Sequence, residues 1–140
     1  GFVVFLPGRF ETIAQSKARA LADGAQATAR RISATWFLEQ ERAAAFEGCA
    51  LIAEQSSADA IQAGLDAMQG WRGDGFLPEI RPETLVVWGD KDRTYPWAQT
   101  EKLWQSIPQA SLAVVPHCAH AVHLERPEVF NLLVGDFLSA

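Results

Sequence analysis

The sequence has little cysteine, no clustered positive charge and no long apolar run, and each shortage removes a class of answer. Cys49 and Cys118 are the only thiols in 140 residues. Two are too few for a disulfide-built scaffold, and they point to a reducing, cytoplasmic compartment. The 12 Lys and Arg against 17 Asp and Glu are spread along the chain, so a broad nucleic-acid footprint is not expected. No stretch approaches the roughly 20 apolar residues of a membrane-crossing helix. The opening run from Gly1 to Leu6 stops at Pro7-Gly8, and it lacks the basic start and small-residue cleavage site of a signal peptide. Repeats and low-complexity linkers are absent too. The chain opens on Gly1 directly into this strand-like run, and Met68 is its single methionine. That opening suggests a piece of a longer polypeptide.

What is present falls into two textures. From Arg9 to Gly70 there is no proline, and Ala, Gln, Glu and Arg dominate, a helix-forming composition. Ile61, Leu65 and Met68 recur at i, i+4 and i+7, one stripe of an amphipathic helix. Ile32, Trp36 and Phe37 do the same for an earlier helix, and Phe46, Ala50 and Ala53 for a middle one. Such stripes first of all make a core. Trp36, Phe37 and Met68 are the members that could also line a substrate pocket.

Residues 71–82 form a Gly- and Pro-bearing connection, and from 83 to 140 the pattern turns to strand, helix, strand, helix. Thr84 to Trp88 is a short continuous apolar run, as expected of a parallel strand buried on both faces. It ends at Gly89. A helix is predicted from Pro96 to Ile107, with Trp97, Trp104 and Ile107 on its inner side and Glu101, Lys102 and Gln105 outward. Ala110 to Val115 is the second strand. Pro127 suits the first turn of a last helix, whose inner face would be Val129, Phe130, Leu133, Val134, Phe137 and Leu138. Strands joined by such a helix make a right-handed βαβ unit. Reactive groups in parallel sheets collect beyond the carboxyl ends of the strands.

Two segments occupy that position, and they hold nearly all the chemistry in the chain. The first runs Gly89-Asp90-Lys91-Asp92-Arg93-Thr94-Tyr95-Pro96. The second runs Pro116-His117-Cys118-Ala119-His120-Ala121-Val122-His123-Leu124-Glu125-Arg126-Pro127. A carboxylate at one strand end can accept from the Nδ1–H of an imidazole at the next. It then fixes the tautomer and stabilises the imidazolium formed when Nε2 takes a proton.

The pattern Gly-x-x-Asp-Arg-x-x-Pro after an apolar strand, then His-x-x-x-x-Glu-x-Pro opening a helix, resembles the α/β-hydrolase family. Asp before His is the family's order, with the nucleophile earlier still. The resemblance is strong from Ile80 to Leu138. The first half is similar to the helical cap of enol-lactonases, meta-cleavage-product hydrolases and epoxide hydrolases. What the resemblance implies is the C-terminal part of an α/β-hydrolase fold: a helical cap-like segment over 1–70, a connection over 71–82, and a parallel βαβα unit over 83–140. It assigns the triad acid to Asp92, with Asp90 as the competitor, and the base to His120.

His117, His120 and His123 form His-x2-His-x2-His, which invites a metal reading. Three imidazoles must converge to hold zinc, and a stretch that is mostly loop does not ensure it. We therefore expect no metal and no cofactor. His117 is expected on the loop surface, His123 packed near the triad, and Glu125 in a structural role at the helix start. Ala119 stands where the family usually has Gly, and Arg81-Pro82-Glu83-Thr84-Leu85 is one residue longer than the usual strand entry.

A nucleophile elbow, Gly-x-Ser-x-Gly on a strand-to-helix turn, is not found. The serines lie in helix-like surroundings or, for Ser111, inside a strand. Cys49 has Glu47 and Leu51 where glycines belong, and Cys118 is a loop thiol. The oxyanion donors also come from the family's N-terminal half. The expectation is a hydrolase of a small carbonyl substrate (ester, lactone or C–C bond) whose nucleophile, Ser, Asp or Cys, is not in this chain. By itself the chain should be inactive and prone to aggregate. The alternative is a non-catalytic binding or interaction domain of the same fold. The expected partner is a small molecule, not nucleic acid or a membrane; oligomeric state is not legible.

Overall fold

The computed structural model describes residues 11–139, so the strand-like run expected at the start lies outside the described residues. Helices α1 (Ile13–Asp23), α2 (Ala25–Thr35), α3 (Phe46–Ala53) and α4 (Ala58–Gly70) make up the first part. Their starts follow local chemistry. Thr12 accepts from the Gln15 amide while the Gln15 side chain accepts from the Thr12 amide, a reciprocal cap that satisfies two otherwise orphaned N–H groups. Ser57 caps α4 by accepting from the Ala60 amide at 3.1 Å.

Two of the three apolar stripes of this part, those of Phe37 and of Phe46 with Ala50, meet in one cluster with Ala34 and Ala121. Phe37 and Phe46 meet edge to face at 6.4 Å, a favoured aromatic geometry. Leu65 is buried, while Ile61 and Met68 are half-buried. Charge pairs tie the helices together outside the core. Arg30 of α2 binds Glu47 at 2.7 Å and Glu54 at 2.8 Å on and beside α3, and the hydrogen bond from Arg30 holds the Glu47 carboxyl below the ordinary carboxylate range. Lys17 of α1 pairs with Asp66 of α4.

After a 3₁₀ turn at Asp74–Glu79, which buries Leu77, the chain enters β1 (Thr84–Gly89), α5 (Trp97–Ser106) and β2 (Ala110–Val115). The two strands are parallel, with Thr84 opposite Ala110 and Gly89 opposite Val115. The short α6 (Val122–Glu125) and then α7 (Pro127–Ser139) complete this part. Val115, Cys118 and Val122 are its buried centre, with Val87, Val129, Phe130 and Leu133 packed against them. Both strands and the helix between them stand where the sequence places them.

Burial differs from expectation in three places. The residues Thr84–Trp88 are half-buried rather than buried on both faces, and Val114 is exposed, because the described residues supply only two strands. Helix α5 is rotated: Ile107 just after it is buried as expected, but so are Gln99 and Thr100, whereas Trp97 and Trp104 are exposed. Their large apolar surface suggests an inner face, but Trp97 instead rests at the sheet margin against Trp88, ring centroids 5.3 Å apart. On α7, Leu138 is exposed, at 75%. Only the first turns of that helix meet the cluster around Val115.

Candidate active site

The site forms where the two strands end. β1 terminates in Gly89, whose Cα lies against the backbone of the loop after β2. A Cβ at this position would sit 2.2 Å from the Ala119 carbonyl oxygen and 2.3 Å from that of Cys118. Only glycine permits this approach. The contact lets the two loops bond directly: the Asp90 amide donates to the Val115 carbonyl at 3.0 Å and the Lys91 amide to the Cys118 carbonyl at 2.9 Å.

On this shared base, Asp92 Oδ2 lies 3.0 Å from His120 Nδ1. The other oxygen, Oδ1, accepts from the amides of Thr94 at 2.7 Å and Tyr95 at 3.1 Å. The Asp92 side chain is only 4% exposed against 33% for His120. The carboxylate is thus buried but solvated by N–H donors, and it holds the imidazole in one orientation. With Nδ1 engaged, Nε2 is the ring nitrogen left for proton transfer. Tyr95 packs on the imidazole, ring centroids 5.1 Å apart.

Asp90 occupies a different position. Its carboxylate pairs with Lys91 Nζ at 3.1 Å and accepts from the Cys118 amide at 3.4 Å. Burial pushes this carboxyl up, but Lys91 and the loop amides outweigh that and hold it below its ordinary range. It lies against the loop after β2 and has no contact with His120 among the described interactions. His117 is exposed, in a left-handed conformation with φ of 54°. His123 is exposed on α6 beside the Phe130 ring at 5.8 Å. Among the described residues no group of three His, Cys, Asp or Glu side chains converges on a point that could hold a metal ion.

A cavity of about 430 Å³ opens beside His120, between the site loops and helices α1, α2 and α4. Trp36 and Met68 line it, together with Thr28, Arg31, Thr94 and Tyr95. Phe37 does not. It is fully buried in the core cluster, because the chain turns after Trp36 and sends the next ring inward. The hydroxyls of Thr28 and Thr94 are buried without a hydrogen-bond partner among the described residues.

Glu125 does more than support a helix start. Its Oε1 accepts from the Leu38 amide at 2.6 Å and its Oε2 from the Ala119 amide at 2.7 Å. The Cys118 thiol lies 3.5 Å from the same carboxylate; burial first, then the nearby Glu125 charge, push that thiol up to about 12. Arg93, adjacent to Asp92, donates to the Phe37 and Leu38 carbonyls. Both residues stand in the sequence motifs, yet nothing local announces their partners. No helix among the described residues is long and apolar enough to cross a membrane.

Residues 3–131 match the model of the alpha/beta hydrolase family. A 2-hydroxy-6-oxo-6-phenylhexa-2,4-dienoate hydrolase of Delftia acidovorans is 40% identical over 72 residues, which are 51% of this chain and 25% of that protein. An esterase from Exiguobacterium antarcticum superposes with a TM-score of 0.83 at 16% identity, over 91% of this chain and 47% of that one. The enol-lactonase from Burkholderia xenovorans LB400 gives 0.80 at 21% identity, over 91% and 50%. These two likenesses are of fold. The chain spans about half the length of those structures, and its matched stretch covers a quarter of the curated relative. With a family match along nearly its whole length, the chain belongs to the alpha/beta hydrolase family.

Proposed function

We propose that this chain carries the acid and base of a serine-type hydrolase acting on a small carbonyl substrate. The observation that carries the reading is the 3.0 Å contact between the buried Asp92 carboxylate and His120 Nδ1 at the wall of a cavity large enough for a small molecule. In this reading the nucleophile is a serine in polypeptide outside this sequence. His120 Nε2 takes the serine proton as it attacks the carbonyl, and then returns it to the leaving group. Asp92 keeps Nδ1 protonated and stabilises the imidazolium in between.

The names of the similar proteins support the substrate class. A dienoate hydrolase, an esterase and an enol-lactonase share attack on a carbonyl, whether the bond broken is C–C or C–O. Trp36 and Met68 give the cavity an apolar wall, and Thr28 and Thr94 are among its polar lining residues. The test is hydrolysis of p-nitrophenyl acetate by the intact natural polypeptide. Asp92→Asn should lower kcat by about 10⁴-fold by favouring the wrong tautomer, and His120→Ala should cost at least as much. Undiminished turnover in His120→Ala would sink the proposal.

A further inference from the structure

The segment 36–38 joins the two site loops. The Ala121 amide donates to the Trp36 carbonyl at 2.8 Å. Arg93 Nη2 donates to the Phe37 carbonyl at 2.7 Å and the Leu38 carbonyl at 3.3 Å. The Leu38 amide donates to Glu125, which also holds the Ala119 amide. One three-residue segment therefore bonds to the residue after the acid and, directly or through Glu125, to both neighbours of the base. Phe37 fixes that segment in the core, in the same cluster as Ala121.

We infer that Glu125 is a positioning residue, which with Arg93 makes residues 36–38 a clip that sets the placement of His120 against Asp92. The inference rests on the acid–base reading of that pair. Glu125 does not line the cavity, so it acts through the loop and not on a substrate. Its two amide bonds, at 2.6 and 2.7 Å, have the short lengths of charge-assisted hydrogen bonds. A carboxylate is suited to this place because it only accepts. Glutamine has the same shape but must turn an NH₂ group toward one of the two N–H donors, so one bond is lost without loss of volume. Trp36, the first residue of the clip, also lines the cavity. A molecule seated against its ring therefore presses on the element that spaces acid and base.

The test reads the proton on His120 Nδ1 by NMR in the intact natural polypeptide, without substrate. In Glu125→Gln its exchange with water should quicken by about tenfold to a hundredfold, on the scale that small misplacements cost at a reacting site. The Leu38 and Ala119 amides should lose protection together. Arg93→Lys, which loosens the clip from the acid side, should quicken the same proton to a smaller degree. Ser57→Ala removes a distant helix cap and should leave it unchanged, which separates placement from general stability. An Nδ1 proton in Glu125→Gln that exchanges as in the parent would overturn the inference. If that variant does not fold, an unmoved proton in Arg93→Lys does so instead. The hydrolase reading fails separately: a parent with the protected Nδ1 proton but no turnover of p-nitrophenyl acetate loses its reaction and keeps its clip.

Discussion

The helical part, 11–70, and the strand-bearing part, 83–139, hold themselves together in different ways. In the first, cohesion comes from side chains. Two phenylalanines and small alanines fill the core, and exposed or half-exposed ion pairs such as Arg30 with Glu47 and Glu54 link helix to helix. Such pairs contribute modestly and tolerate exchange. In the second, the decisive contacts are between backbones: strand to strand, and Gly89 to the carbonyls of Cys118 and Ala119. The lesson is one of tolerance. A wall that only has to shape a cavity can be built from replaceable side chains, whereas the 3.0 Å contact of Asp92 with His120 rests on the backbone packing that Gly89 allows, with Glu125 and Arg93 tying the loops from outside.

That contrast is open to direct attack. Gly89→Ala should be the most damaging change, costing about 4 kcal/mol or more, since a methyl would meet fixed carbonyl oxygens rather than a movable side chain. Urea unfolding checks it, and an unshifted midpoint would mean that strand and loop can part at little cost. Phe37→Ala should cost about 3–5 kcal/mol, the largest loss open to a side chain of the helical part, and it should reach His120 through the clip.

Thiol labelling separates the two parts at a smaller scale. At pH 8 the half-buried Cys49 should react with iodoacetamide about a hundredfold faster than Cys118, which is fully buried. Because the Cys118 thiol is pushed up to about 12, it is neutral at that pH, and its rate should climb as pH rises toward that value. Equal rates would show that the loop bearing His120 opens freely. Ser57→Ala should have the smallest effect, about 1 kcal/mol for the loss of one helix cap, measured as a small drop in Tm. A loss as large as that in Gly89→Ala would erase the distinction between the two parts.

Much of this was legible in the sequence where the signal is local. The strand at Thr84 is a continuous apolar run cut off by Gly89, that at Ala110 a mostly apolar one ended by Pro116, and the site pair sits in two short motifs directly after them. The face of α5 was not legible, because tryptophans at 97 and 104 have the apolar surface of core residues and yet lie largely exposed. Phe37 was equally ambiguous beside Trp36: adjacent rings on one predicted stripe, one lining the cavity and the other in the core. Glu125 and Leu38 are 87 residues apart, and no periodicity encodes a hydrogen bond across that distance. The sequence carries both loop motifs, but the segment that joins them looks like ordinary helical core.

The closeness of Gly89 to the following loop also bears on how this region can change over time. If backbone packing helps to set where His120 stands, the exposed Pro116 and His117 can be exchanged with less effect on the site than the fully buried Cys118 and Ala119. The number of residues between Val115 and His120 is fixed more tightly. Adding or removing one residue there would move the imidazole by about 3 Å, the rise of a single extended residue, and so carry it out of reach of Asp92. Relatives of this chain should therefore differ at the exposed positions of that loop far more freely than in its length.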